Sequence, residues 1–169
     1  MPDRKPKSIC IVTPVYNEQD CIEAFYDSVC AQLKRLDLDL RFVFVDDGSQ
    51  DDTLFLLNQL ANQNPEITVL SLARNFGHQI ALTAGLDFAE ADLVVTMDSD
   101  LQHPPETIIE MVEAYHNGAE VVYGVRNNSG TGRIGKRISS RMFYYLMGRL
   151  AKVDMLAGAV DYRLMSRDV

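Results

Sequence analysis

The chemistry open to this sequence rests on four acidic residues and a short basic stretch. Asp98 and Asp100 stand two apart, directly after the apolar run 93–97. In an extended chain such residues point to one face, so the two carboxylates lie together while Ser99 faces away. Carboxylates held side by side repel, and a cation between them relieves the repulsion. Hard oxygen ligands select magnesium or manganese, which keep coordination positions open for phosphate groups. Asp-x-Asp recurs by chance. Its weight here comes from two other acidic strand ends, Glu18 in Thr13-Pro-Val-Tyr-Asn-Glu18 and Asp47 in Asp46-Asp-Gly-Ser49.

The basic residues Arg126, Arg133, Lys136, Arg137 and Arg141 crowd one segment of an otherwise acidic chain. Two readings stay open for them: a solvated helix face, or a clamp for phosphate oxygens or an anionic membrane surface. The same segment nearly spells a phosphate-binding P-loop in Gly130-Thr-Gly-Arg-Ile-Gly-Lys-Arg137. That motif needs Ser or Thr after the lysine to hold magnesium, and Arg137 cannot do so. An ATPase is therefore set aside. His78 follows Arg74-Asn-Phe-Gly77 at a helix start and reads as a structural hydrogen-bonding residue, and His103 shapes the turn before Pro104-Pro105. No catalytic triad, nucleophile elbow or Gly-x-Gly-x-x-Gly fingerprint is present.

These residues need elements to position them, and apolar strands alternate with amphipathic helices along the chain. Strands are expected over 8–13, 41–45, 67–72, 93–97, 121–125 and 160–165. Helices are expected over 18–36, 51–62 and 78–89, and from Pro104 or Pro105 to Asn117-Gly118. In the first helix Ile22, Phe25, Val29, Leu33 and Leu36 make one stripe. A glycine- and asparagine-rich loop covers 126–132, and a basic helix is expected over 134–152. Continuous apolar strands between helices imply an open, mostly parallel α/β sheet with helices on both faces. In such sheets ligands bind beyond the carboxyl ends of the strands, where the acidic residues collect. Ser49 and Asp51 suit helix capping equally well.

Composition narrows the classes. The 169 residues are 47% hydrophobic and 24% charged, which fits one globular domain and excludes disorder. A balance of 16 Lys and Arg against 24 Asp and Glu, net −8, argues against a nucleic-acid partner. Cys10, Cys21 and Cys30 are odd in number and two fall on apolar faces, so free thiols in a reducing compartment are expected, without zinc. No secretory signal opens the chain, and the apolar stretch 142–160 carries Arg149, Lys152 and Asp154, so no clean membrane span is expected.

Four motifs in order, Val12-Thr-Pro-Val-Tyr-Asn-Glu18, Val45-Asp-Asp-Gly-Ser-Gln-Asp-Asp-Thr53, Asp98-Ser-Asp-Leu-Gln102 and Asp161-Tyr-Arg-Leu-Met-Ser-Arg167, resemble family 2 inverting glycosyltransferases of the GT-A fold. The run from Asp98 to Glu106 is most similar to the dolichyl-phosphate mannosyltransferase and bacterial polyprenyl-phosphate glycosyltransferase branch. The resemblance implies a single Rossmann-like GT-A catalytic domain over 1–169, cut short on its acceptor side. It implies a UDP- or GDP-sugar donor, Mg2+ or Mn2+, and a lipid-phosphate acceptor. Pro14, Tyr16, Glu18 and Asp47 would line the nucleoside pocket, with Asp47 reaching base or ribose. Asp98, Asp100 and Gln102 would surround the metal, Arg126, Arg133 and Lys136 would approach phosphates, and Asp161 would sit near the attacking oxygen. The parent protein would be anchored on the cytoplasmic side of a membrane, with a homo-oligomer left open. Two alternatives stand beside this one. A sugar-phosphate nucleotidyltransferase needs a glycine-rich loop after the first strand, which 13–18 lacks, and a non-catalytic nucleotide-sugar scaffold would never release free nucleotide.

Overall fold

The computed structural model describes residues 5–125, 159–167 and 169. Ten elements follow in the order β1 (Ser8–Val15), α1 (Ile22–Leu33), β2 (Asp39–Asp46), α2 (Thr53–Gln63), β3 (Ile67–Ser71), α3 (His78–Phe88), β4 (Leu93–Thr96), α4 (Glu106–His116), β5 (Val121–Val125) and β6 (Ala159–Ser166). The strands form one sheet in the order β3-β2-β1-β4-β6-β5. β1 pairs in parallel with β2 and β4, and β2 with β3. β6 runs antiparallel to both β4 and β5, so a mostly parallel sheet carries one reversed strand between its fourth and last.

Period-two burial divides the core by face. Ile9, Ile11, Phe42, Phe44, Leu93 and Val95 join α1, α2 and α4 in the larger cluster, while Cys10, Val12, Val43 and Val45 pack with Ala81 and Leu82 of α3. Helices thus cover both faces, as the apolar strand runs require. Phe42 and Phe44 stack at 5.8 Å, and Phe25 meets Phe44 edge-on at 6.0 Å. Burial pushes the Cys10 thiol up to about 12, against a small opposing pull from Arg41, so it packs as an inert apolar group. No cysteine among the described residues is in a disulfide. Among them, too, no helix is long and apolar enough to cross a membrane.

Several boundaries differ from expectation. α1 begins at Ile22 rather than at residue 18, because the amides of Asn17, Glu18 and Gln19 are used elsewhere, as described below. β1 and β2 each extend to the loops that hold the polar residues. α4 starts at Glu106 with Pro105 at its cap, φ −60°, where a missing N–H costs nothing. The loop 126–132 and the helix 134–152 lie outside the described residues.

Candidate functional site

The carboxyl ends of β1, β2 and β4 open into one cleft of about 340 Å3. Pro14, Tyr16 and Glu18 line it from β1, Asp47 from β2, and Asp98, Ser99 and Asp100 from β4. A larger cavity, about 1060 Å3, lies at the opposite end of the sheet between Lys7, Leu38, Tyr115 and Ser166. Ligands of open α/β sheets bind beyond strand carboxyl ends, which selects the smaller cleft.

The loops after β1 and β2 are laced to each other. Ser49 Oγ accepts the Asn17 amide at 3.0 Å, and Asn17 Oδ1 accepts the Gln50 amide at 2.8 Å. Thr53 Oγ1 accepts the Glu18 amide at 2.9 Å, and Gln19 Oε1 accepts the Asp52 amide at 3.0 Å. Ser49 therefore ties two loops together. Asp51 does part of a capping role, receiving the amide of Thr53, the first residue of α2, at 3.0 Å.

Asp47 is buried and ties in a third loop. Its two oxygens accept the amides of Phe76 at 2.7 Å and Gly77 at 2.9 Å. Gly48, at φ +71°, allows this approach: a Cβ there would lie 2.5 Å from the Arg74 carbonyl carbon. The carboxylate thus fixes the β3–α3 connection at the cleft wall, and that connection contributes Asn75, Gly77 and His78 to the lining. His78 Nε2 lies 3.8 Å from Asp98 Oδ1. Asn75 and Gly77 were not among the sequence candidates, and His78 read as structural. The available signal was the rule already used for the other strands, since Arg74-Asn-Phe-Gly-His78 also follows one.

Asp98, Ser99 and Asp100 all line the cleft, so the expected turning-away of Ser99 is not seen: β4 ends at Thr96 and the chain bends through 99–101. Gln102 is exposed; its backbone amide donates to Asp100 Oδ1 at 2.9 Å. Burial raises the Glu18 carboxyl above its ordinary value; a hydrogen bond with Cys21 opposes this, and the charges of Asp100, Asp51 and Asp98 add to it. Negative charge therefore accumulates in the cleft around Glu18. Among the described residues no three His, Cys, Asp or Glu side chains converge on one point. Two carboxylates with open positions around them fit magnesium or manganese, ions that complete their shells with phosphate oxygens and water.

β6 brings Asp161 to this end of the sheet. Its register sets Thr96 opposite Arg163, and the antiparallel direction then carries the strand's earlier residues towards the Asp98 end of β4. Arg126, Arg133 and Lys136 lie outside the described residues.

Residues 10–169 match glycosyl transferase family 2. The chain is 38% identical over 159 residues to an uncharacterized glycosyltransferase, YkcC, of Bacillus subtilis, covering 94% of this chain and 49% of that protein. It is 38% identical over 161 residues to the prophage bactoprenol glucosyl transferase homolog of Escherichia coli K12, covering 95% of this chain and 53% of the relative. The chain thus spans about half the length of these curated relatives. Glucosyl-3-phosphoglycerate synthase of Mycobacterium tuberculosis, solved with Mn2+, UDP and glucosyl-3-phosphoglycerate, superposes with a TM-score of 0.66 at 25% identity, over 96% of this chain and 57% of that one. The sheet order, the acidic cleft at its carboxyl edge and a match along nearly the whole chain agree: this chain belongs to glycosyl transferase family 2.

Proposed function

We propose that this chain is the donor-binding portion of a metal-dependent inverting glycosyltransferase. It would move a sugar from a UDP- or GDP-sugar to a polyprenyl or dolichyl phosphate, within a parent protein anchored on the cytoplasmic side of a membrane. The observation that carries this reading is the gathering of Glu18, Asp47, Asp98 and Asp100 around one cleft at the strand ends. The bactoprenol glucosyl transferase homolog supports the lipid-phosphate acceptor, and the Mn2+ and UDP of the mycobacterial synthase support the donor and the metal.

In this reading Pro14, Tyr16 and Glu18 form the nucleoside wall. Asp47 faces base or ribose with whatever capacity its two loop hydrogen bonds leave, so it positions the pocket as well as touching its contents. Asp98 and Asp100, with Gln102 beside them, hold Mg2+ or Mn2+. An ion held there would supply positive charge against the departing diphosphate. Arg126, Arg133 and Lys136 share that task from the segment after β5, where preorganised cations favour the transition state over the ground state. The acceptor oxygen bonds to the sugar's anomeric carbon as the bond to the diphosphate breaks, inverting that carbon. A lipid phosphate is already ionised near neutral pH, so Asp161 orients the acceptor; a hydroxyl acceptor would need it as a base.

Calorimetric titration of UDP and of GDP, each with manganese and again with excess EDTA, tests the donor site. One nucleotide should bind with manganese and lose affinity by at least about tenfold in EDTA. Asp161→Asn should keep that binding and lose transfer. Binding of neither nucleotide to the full-length protein overturns the reading, and metal-dependent binding with no release of free nucleotide points to a sugar-nucleotide scaffold.

A further inference from the structure

The loop that carries Asp98 and Asp100 is held in a costly conformation. Leu101 sits at φ +57°, in the left-handed region that side chains with a Cβ avoid, and its side chain is exposed. Such a residue persists only where its surroundings over-determine it. One restraint is local, the Gln102 amide on Asp100 Oδ1 at 2.9 Å. The other comes from a distant strand. Tyr162 of β6 is 3% exposed, its hydroxyl donates to the Pro104 carbonyl at 3.3 Å, and its ring lies 4.9 Å from that of the buried His103. The same Pro104 carbonyl accepts the amide of Thr107, in the first turn of α4, at 3.1 Å. The ring's seat is made by Gly124 on β5, where a Cβ would stand 2.6 Å from Tyr162 Cδ1.

Tyr162 therefore ties three elements together at one place: the end of the acidic loop, the start of α4 and the strand in which it directly follows Asp161. We propose that Tyr162 is a positioning residue that clamps the His103–Pro104 end of the loop to β6, and so holds Asp98 and Asp100 in place relative to the strand that carries Asp161. The proposal rests on the glycosyl-transfer reading for the roles of those three aspartates, but the clamp itself can be tested without it.

Tyr162→Phe keeps the ring and removes only the hydroxyl. In the full-length protein, amide hydrogen exchange at residues 99–103 should speed up about fivefold, the effect of losing one buried hydrogen bond. Exchange at residues 17–19, in the laced loops, should stay unchanged. The manganese concentration that half-saturates nucleotide binding should rise by a similar factor, with nucleotide affinity restored at saturating manganese, because the ion then has to order the loop. Gly124→Ala, which pushes on the ring with the hydroxyl still present, should quicken exchange at the same residues. Unchanged exchange at 99–103 in Tyr162→Phe overturns the clamp, and so does an equal acceleration at 17–19, which would make Tyr162 an ordinary core residue. Faster exchange confined to 99–103 in a protein whose wild type binds no nucleotide with manganese would keep the clamp and overturn the glycosyl-transfer reading.

Discussion

Two carboxylates at opposite ends of the sheet, Asp92 and Glu18, stand in opposite surroundings. At the amino end, just before β4, Asp92 Oδ2 accepts the Lys7 amide at 2.7 Å and the Ser8 amide and hydroxyl at 3.2 Å each. Its own amide and carbonyl are bonded to Ser8 Oγ and the Arg167 amide. These donors, the Lys7 amide foremost, hold its carboxyl below the ordinary value, against the opposing effect of burial. At the carboxyl end Glu18 is raised, first by burial and then by the acids around it, and only the hydrogen bond with Cys21 pulls the other way. Asp92, like Asp47 in the cleft, is a carboxylate that holds the fold together; Glu18 is one that the fold holds in place. A carboxyl whose proton affinity is raised in a cleft is a candidate for contact with a positively charged ligand, the role proposed for this cleft.

The largest effect that could break this contrast is at Asp100. Asp100→Asn keeps the oxygen that receives the Gln102 amide and removes the charge. Manganese-dependent nucleotide binding should fall by at least about tenfold, since changes even in the shell behind metal ligands cost that much. Thermal stability should not fall, because the lost charge is one that raises Glu18. Calorimetry and a melting curve on the same sample check both. A variant that binds normally but melts early would make Asp100 another Asp92.

At the other end the expected effect is smaller and falls on stability alone. Asp92→Ala removes the acceptor for three donors and should cost about 1–2 kcal/mol at pH 7, with nucleotide binding unchanged. The folded-state carboxyl lies below its ordinary value of 3.8, so the unfolded chain binds the proton more readily. The stabilisation is then complete above that ordinary value and is lost as pH falls through the lower, folded one. Denaturant titrations of wild type and variant should differ most near neutrality and draw together as pH falls below the ordinary value of 3.8.

Much of this contrast was legible in the residues, and what was not has a common cause. Apolar runs located each strand among the described residues, because burial on both faces of a sheet leaves a continuous signal. The strand-end rule gathered Asp98, Asp100, Glu18 and Asp47 at one cleft, whereas the two-residue alternation did not foresee that Ser99 lines it too. Partners distant in sequence were not legible. Asp47 has its two donors in Phe76 and Gly77, and nothing local to Asp47 announces them. Helical periodicity overshot the start of α1, because it cannot know that the amides of Asn17, Glu18 and Gln19 belong to Ser49, Thr53 and Asp51. Strand character at 160–165 was plain, but an apolar run has no direction, and only pairing shows β6 reversed between β4 and β5. Tyr162 drew no separate reading in the sequence for the same reason: its contacts are with Pro104, His103 and Gly124.

The smallest effect gives the sharpest test, because its sign is opposite at the two ends. Glu18→Gln keeps the side chain's shape and its backbone bond to Thr53, and removes a charge that burial and three aspartates disfavour. The folded-state carboxyl lies above its ordinary value of 4.5, so between those two values the folded chain holds the proton more readily than the unfolded one. Stability of the wild type therefore falls as pH rises through that window and stays reduced above it. The glutamine variant escapes the penalty, and its melting temperature should exceed wild type by about 1–2 °C at pH 7 and match it below pH 4.5. Nucleotide affinity should drop at the same time, the gain in stability and the loss in binding having one origin. If Glu18→Gln instead melts earlier than wild type at pH 7, Glu18 is a fold-holding carboxylate like Asp92, and the acidic cleft loses its claim to be reserved for a ligand.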